Sequence, residues 1–154
     1  MKILFVCHGN ICRSPMAEFV FRKMVSDAGI SDKFEVESRA TSAEELGNPV
    51  YPPARAELLR HGLTCDGKYA VQLTRLDYDK YDLIIGMDGA NIRNMHRLFG
   101  GDPDKKIKKL MDYTARGGDV DDPWYSGEFS VTYRDVFEGC AALLKCILKS
   151  VSKI

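Results

Sequence analysis

A Cys-x5-Arg motif, from Cys7 to Arg13, is the most informative feature of the sequence. The five residues between the two side chains are enough to curl the backbone into a ring whose N–H groups converge on one point. Gly9 and Asn10 tolerate the positive φ angles that such a ring needs. The planar guanidinium of Arg13 matches two oxygens of a phosphate. We therefore predict that this loop binds a tetrahedral dianion.

The sulfur of Cys7 is expected at the base of the ring. Backbone dipoles at the start of the following helix favour its thiolate form, and the Ser14 hydroxyl can donate a hydrogen bond to it. A thiolate beneath a bound phosphoryl group is placed for in-line attack on phosphorus. The alternative is a core cysteine that ends a buried strand. The Gly-Asn turn, the arginine and the helix start favour the nucleophile.

A second candidate segment carries three aspartates, Asp119, Asp121 and Asp122, between glycines. A phenolate leaves poorly without a proton, so a second group must supply one. We choose Asp122 because Pro123 stiffens the backbone after it and Trp124 offers an apolar wall that favours the protonated carboxyl. Once the leaving group has departed, the same carboxylate can take a proton from water. The alternative for this segment is a solvated acidic turn.

Short apolar runs alternate with amphipathic segments, a pattern typical of a parallel sheet covered by helices. We predict one three-layer α/β domain over residues 1–154. Ligands of such sheets bind beyond the carboxyl ends of the strands, where the segments after Cys7, Val36 and Met87 should converge. Strands are predicted at residues 2–7, 34–37, 81–87 and 107–111, and helices from a Ser14 cap to Gly29, at 54–61, at 88–98 and from about Ser130 onwards.

The composition excludes several classes of protein. Hydrophobic residues make up 45% of the 154 residues, enough for one buried core. Lys plus Arg and Asp plus Glu both number 22, so the net charge is zero and we expect neither nucleic acid nor a membrane as partner. The apolar run at the N-terminus is too short for a secretion signal or a membrane span.

The cysteine pattern bears on the compartment. The five cysteines include no C-x-x-C pair, which fits neither a disulfide framework nor a zinc site. We therefore expect a protein of the reducing cytoplasm.

These residues resemble the low-molecular-weight protein tyrosine phosphatases. Residues 6–15 carry the V-C-x-G-N-I-C-R-S-P signature of that family, and residues 122–124 carry its later D-P-aromatic motif. The likeness covers essentially the whole chain. It implies a four-stranded parallel sheet flanked by helices on both faces. It also implies hydrolysis of phosphotyrosine in proteins, without metal or cofactor, by an enzyme that we expect to be a monomer.

The resemblance assigns roles to individual residues. Cys7 is the nucleophile, Arg13 the phosphate clamp and Asp122 the general acid and base. Cys12 is similar to the partner that traps an oxidised nucleophile as a disulfide. The residues expected to bind phosphate are His8, Gly9, Asn10, Ile11, Cys12, Arg13 and Ser14, and those expected to support the loop or line the pocket are Ser38, Asp88, Trp124 and Tyr125.

The chain departs from the family pattern at several positions. Glu44 and Glu45 stand where an aromatic residue often lines the pocket. Gly67 and Val71 stand where a histidine and an arginine often order the loop. We hypothesise that the two glutamates favour peptides with basic residues near the phosphotyrosine.

Other functions remain as alternatives. A related branch hydrolyses phosphoarginine and tends to carry a small polar residue where this chain has Ile11, whose bulk favours flat aryl phosphates. An arsenate reductase would need further cysteines between Cys65 and Cys140, and none is present. A non-catalytic phosphate-binding module would need neither Cys7 nor Asp122. The chain has no G-x-x-x-x-G-K-[ST] or G-x-G-x-x-G motif for a nucleotide.

Overall fold

A computed structural model describes residues 1–152, in which four strands are interspersed with six helices. The last two residues of the predicted domain, 153 and 154, lie outside the described part. The strands are β1 (Lys2–Cys7), β2 (Glu35–Ala40), β3 (Leu83–Gly86) and β4 (Ile107–Lys109). The helices are α1 (Arg13–Asp27), α2 (Pro52–Arg60), α3 (Asp77–Lys80), α4 (Gly89–Phe99), α5 (Pro123–Ser126) and α6 (Phe129–Ser152).

The strands form one parallel four-stranded sheet in the order β2-β1-β3-β4, which confirms the predicted sheet. β1 is central because it pairs with β2 on one side and with β3 on the other. Cys7 therefore ends a strand that is held on both edges, and it pairs in register with Ala40 at the end of β2.

Alternate side chains of β1 enter two separate cores, as a sheet with both faces covered requires. Ile3 and Phe5 belong to the larger core, which is built with α1 and α6. Leu4 and Val6 belong to the smaller core, which includes Met95 of α4. All four of these β1 side chains are fully buried. The three-layer arrangement is thus confirmed.

The helix and strand boundaries differ from the predictions in a few places. The strand expected at 81–87 is shortened to Leu83–Gly86, and the one expected at 107–111 gives way after Lys109 to a 3₁₀ turn, Leu110–Tyr113. The one-turn helices α3 and α5 were not predicted. Four residues are too few to show a hydrophobic period, so the pattern could not reveal either of them.

Candidate active site

Residues 7–14, here called the phosphate loop, curl around the sulfur of Cys7 at the carboxyl end of β1. The backbone N–H of Asn10 points at this sulfur, with 3.3 Å between N and Sγ. Asn10 adopts the left-handed conformation, with φ at 59°, which asparagine tolerates better than most residues. Of the two residues named as able to take a positive φ, Gly9 and Asn10, only Asn10 does so in this loop.

The predicted cap of α1 is also wrong. Ser14 lies inside the helix, and Cys12 occupies the capping position. The Ser14 hydroxyl instead contacts the candidate nucleophile, with 3.0 Å between its Oγ and Cys7 Sγ. The Ser14 side chain can reach this sulfur because Ser14 lies in the first turn of the helix, close to the end of β1.

A buried hydrogen-bond network fixes the direction of the Ser14 hydroxyl. The backbone N–H of Val71 donates to Asn10 Oδ1 (3.1 Å), so the amide nitrogen of Asn10 faces the other way. That nitrogen donates to Ser14 Oγ (2.7 Å) and to Ser38 Oγ (2.9 Å). Since Ser14 Oγ accepts from Asn10, its own proton is free to point at Cys7 Sγ. The sulfur therefore faces two donors, a favourable setting for a thiolate.

The network continues to a buried carboxylate that the sequence did not indicate. Ser38 Oγ donates to Glu18 Oε1 at 2.6 Å, and Glu18 is 2% exposed. Two cations balance its charge, Arg22 at 2.8 Å and Lys68 at 3.7 Å. Burial lowers the pKa of Lys68, although the neighbouring Glu18 opposes the shift. Lys68 directly follows Gly67, one of the positions noted as departing from the family pattern, and supplies a cation to the network.

Arg13 connects the phosphate loop with the rest of the site. It is 3% exposed, and its guanidinium contacts Asp88 Oδ2 at 2.8 Å and Asp122 Oδ2 at 3.5 Å. Burial works against its charged form, but the interactions with Cys7, Asp88 and Asp122 raise its pKa above the ordinary value. Arg13 thus stays charged, and the two aspartates fix its plane.

Asp88 is held by the start of α4 as well as by Arg13. It forms a reciprocal capping box with Asn91, whose backbone N–H donates to Asp88 Oδ1 at 2.8 Å. Burial favours the neutral acid, yet the hydrogen bonds from Asn91 and Arg13 hold its pKa below the ordinary value. Asn91 was not predicted. The D-x-x-N spacing from Asp88 to Asn91, which is compatible with a capping box, is a weak signal that could have suggested it.

Residues 119–125, here called the acid loop, carry Asp122 to the edge of the same pocket. Asp122 caps the one-turn helix α5, and its Oδ1 accepts from the backbone N–H of Trp124 at 3.1 Å. Its Oδ2 is the atom that faces Arg13. Trp124 is 57% exposed and packs on Tyr51, with ring centroids 5.2 Å apart, while Tyr125 is 87% exposed.

A cavity of about 510 Å³ opens between the two loops. Cys7, Arg13 and Asp122 all line it, as do Glu44 and Glu45. His8 contacts Glu44 on its margin, with 3.0 Å between Nε2 and Oε2. A larger groove of about 1080 Å³ between α1 and α6 shares no lining residue with it and carries none of the predicted site residues. We therefore assign the smaller cavity, which contains the predicted catalytic residues, as the candidate active site.

The structure brings most of the predicted residues together around that cavity. Asn10, Ser14 and Ser38 lie behind it in the network, and Ile11 and Cys12 line its wall. Burial, together with the charges of Cys7 and Asp122, raises the pKa of Cys12 to about 12. Cys12 is therefore a protonated thiol at neutral pH. Within residues 1–152, no three His, Cys, Asp or Glu side chains are grouped as ligands of one metal ion.

Fold and site together define the class of protein: a phosphatase built on a three-layer α/β domain, with an arginine-closed anion loop at the end of its central strand. The sequence profile of the low molecular weight phosphotyrosine protein phosphatases matches residues 2–153. The chain belongs to that family.

Named relatives from bacteria and animals are similar to this chain over nearly its whole length. The low molecular weight protein-tyrosine-phosphatase YfkJ of Bacillus subtilis is 38% identical over 151 residues, 97% of each chain. Its crystal structure superposes with a TM-score of 0.94 over 97% of this chain and 96% of that one. The low molecular weight phosphotyrosine protein phosphatase of Rattus norvegicus is 39% identical over 94% of each chain.

A more distant neighbour has a different name. The structure of DARP, a Drosophila arginine phosphatase, is 28% identical and has a TM-score of 0.85 over 96% of this chain and 98% of that one. The fold is therefore shared by proteins that are named for different phosphorylated side chains.

Proposed function

We propose that this enzyme hydrolyses phosphotyrosine in proteins, and simple aryl phosphates, through a phosphocysteine intermediate. The observation that carries the proposal is the position of Cys7 Sγ at the base of an open cavity, facing the Asn10 N–H at 3.3 Å and the Ser14 hydroxyl at 3.0 Å. Both donors stabilise a sulfur anion, the form that attacks phosphorus.

The phosphate loop binds the substrate dianion. Backbone N–H groups of residues 8–13 and the N-terminus of α1 surround its oxygens, and the Arg13 guanidinium takes two of them. Asp88 already holds Arg13 at 2.8 Å, so little reorganisation is needed when phosphate arrives. These donors stabilise the charge on the equatorial oxygens of the transition state.

Asp122 supplies the proton that the leaving group needs. In the first step the Cys7 thiolate forms an S–P bond, the P–O bond to the phenol breaks, and the Asp122 carboxyl protonates the departing oxygen. In the second step the Asp122 carboxylate takes a proton from water, the water oxygen attacks phosphorus, and the S–P bond breaks. Inorganic phosphate leaves, and the thiolate and the acid are restored.

The decisive experiment compares substrates and traps the intermediate. The wild-type enzyme should release p-nitrophenol from p-nitrophenyl phosphate and phosphate from phosphotyrosine peptides, and rapid acid quenching should capture a labelled phosphocysteine. Arg13→Ala should lose both phosphate affinity and rate. Faster turnover of phosphoarginine than of phosphotyrosine would instead favour the phosphoarginine branch. Phosphate binding without turnover would favour the binding module.

We propose further that the pocket margin selects peptides with basic residues beside the phosphotyrosine. The carboxylates of Glu44 and Glu45 line the cavity, and the side chain of Glu45 lies against Gly9. Asn48 donates to Glu45 Oε2 at 2.6 Å and holds it in place. In the complex the phosphate binds Arg13, so the two glutamates are expected to contact the residues that flank the phosphotyrosine in the peptide. A lysine or arginine there is the complementary charge.

Matched peptides test this selection. A phosphotyrosine peptide flanked by lysines should have a kcat/KM roughly tenfold above its glutamate-flanked counterpart, since each exposed charge pair contributes about 0.2–1 kcal/mol. The ratio should approach one in the double variant Glu44→Gln, Glu45→Gln and at high salt. Glu35→Gln, at the opposite end of the sheet, is the control. An unchanged ratio in the double variant would contradict the proposal, while p-nitrophenyl phosphate reports separately on the chemistry.

We also propose a cytoplasmic monomer whose partner is a phosphoprotein rather than nucleic acid or a membrane. All five cysteines are unpaired, as expected in a reducing compartment. Within residues 1–152, no helix is long and apolar enough to cross a membrane. Light scattering over a range of concentrations would test the monomer, and a mass that doubles in the working range would contradict it.

A further inference from the structure

The acid loop follows a segment with little rigidity of its own. Gly117 and Gly118 stand next to each other with φ angles of 59° and 88°, in the region that favours glycine. Two adjacent glycines allow many backbone paths between the 3₁₀ turn and Asp122. A general acid has to be held to within a fraction of an ångström of the leaving oxygen, so other contacts must fix this path.

A single buried carboxylate joins the two ends of that segment. Asp135, early in α6, is 4% exposed. Its Oδ1 forms a short ion pair with the guanidinium of Arg116, which lies just before the two glycines. Its Oδ2 accepts from the backbone N–H of Asp121 at 3.0 Å, one residue before the proposed acid. Both oxygens of Asp135 are thus used on the same short stretch of chain.

Further contacts tie down Asp121 and its neighbour. Thr132 Oγ1 donates to the Asp121 carbonyl at 3.0 Å, and Ser126 Oγ donates to the Asp121 carboxylate at 2.6 Å. The backbone N–H of Val120 donates to the carbonyl of Met87 at 2.9 Å, next to the end of β3. These bonds fix the backbone that enters Asp122 from α6 on one side and from the sheet on the other.

We infer that Asp135 is a positioning residue for the general acid: its carboxylate closes residues 116–121 into a fixed arch and thereby sets where Asp122 stands. The inference rests on the proposed role of Asp122. Among the described residues, Asp135 does not line the cavity between the two loops. It lies in a neighbouring cleft that Arg13 and Asp122 also line, and its hydrogen bonds go to Arg116 and Asp121, so we expect it to act through the acid loop. Substituting it should therefore disturb protonation of the leaving group and leave phosphate binding intact.

A series of aryl phosphates with increasingly basic phenols tests the inference. Asp135→Asn should lower kcat/KM, which reports the steps up to release of the phenol, roughly tenfold on the poorest leaving group and about twofold at most on an activated ester, because only the former needs the proton. The inhibition constant of inorganic phosphate should not change. Glu138→Gln is the matched control, since it removes the other carboxylate on Arg116 and leaves the Asp121 N–H bond in place.

The same substitution in the Asp122→Asn enzyme separates positioning from general damage. If Asp135 acts through Asp122, Asp135→Asn should add no further loss in that background. A loss that is equal on all esters, or that adds in full to Asp122→Asn, would overturn the inference. A flat leaving-group series for Asp122→Asn itself would instead overturn the acid role on which the inference rests. Should Asp135→Asn fail to fold, Arg116→Gln, whose side chain is 46% exposed, gives the same test.

Discussion

The phosphate loop and the acid loop face one cavity but are held in different ways. The phosphate loop is buried between a central strand and a long helix, and its network runs through Asn10, Ser38 and Glu18. The acid loop exposes the side chains of Trp124 and Tyr125, and its backbone depends on a few side chains of α6. In the proposed mechanism, affinity for the phosphate dianion comes from backbone N–H groups, whereas the proton donor Asp122 is positioned by a few side-chain contacts that substitutions can remove.

The largest predicted effect isolates the nucleophile. Cys7→Ser should reduce turnover roughly 10⁴-fold or more, because the serine hydroxyl has no base to activate it here. Phosphate should still bind, since the ring of N–H groups and Arg13 remain. Initial rates on p-nitrophenyl phosphate and calorimetric titration with phosphate measure the two properties. A variant that loses both together would show that binding and attack are not separable in the phosphate loop.

The next effect isolates the acid. Asp122→Asn should lower kcat/KM for esters with poor aryl leaving groups by roughly 10²- to 10⁴-fold, and for activated esters far less. The pH profile of kcat/KM should change as well, because the variant has no carboxyl to donate the proton. Steady-state rates between about pH 4 and 9 measure both. Equal losses on every ester would take the acid role away from Asp122 and erase the functional distinction between the two loops.

A third prediction concerns the reversal at Asn10. Asn10→Ala should destabilise the protein by about 2–4 kcal/mol, because alanine resists the left-handed conformation and the Val71 N–H loses its acceptor. Asn10→Gly is the matched control, because it relieves the backbone and still deletes the side chain. Denaturant unfolding measures both variants. Identical stabilities for the two would mean that the side-chain bonds, rather than the φ angle, hold the loop.

A fourth prediction concerns the second thiol. Peroxide should convert the Cys7 thiolate to a sulfenic acid, which the Cys12 sulfur then attacks to form a disulfide and release water. Burial and the charge of Cys7 keep Cys12 protonated at rest, and oxidation of Cys7 removes that charge. The wild type should regain most of its activity under excess thiol, and Cys12→Ser much less. Equal recovery of the two enzymes would rule out the disulfide.

The smallest predicted effect is a pH dependence of stability. The pKa of Asp88 is lowered from its ordinary value of 3.8 in the folded protein, so its ionised form stabilises the fold above that pH. This stabilisation is lost as the pH falls through the lower, folded value. Asp88→Asn should therefore melt at a lower temperature at neutral pH and show a shallower decline below about pH 4. Parallel melting curves for the two proteins would contradict the assignment.

The sequence predicted the sheet and the phosphate loop because both depend on local patterns. The apolar run at residues 2–7 and the motif that follows are contiguous, and their chemistry can be read residue by residue. Glu18, Asn91 and Asp135 were missed because each acts on a partner that is distant in sequence or gives only a weak local signal. The Ser14 cap was wrong because α1 begins at Arg13, before Ser14, so Ser14 lies in the first turn and Cys12 takes the capping position.

Hydrogen exchange should distinguish the central strand β1 from the acid loop. Because β1 is hydrogen-bonded to a neighbouring strand on each edge, its amide protons should exchange more slowly than those near Asp122, where fewer bonds must break. If the proposed roles hold, a mildly denatured population should lose the position of its proton donor before it loses its phosphate-binding loop.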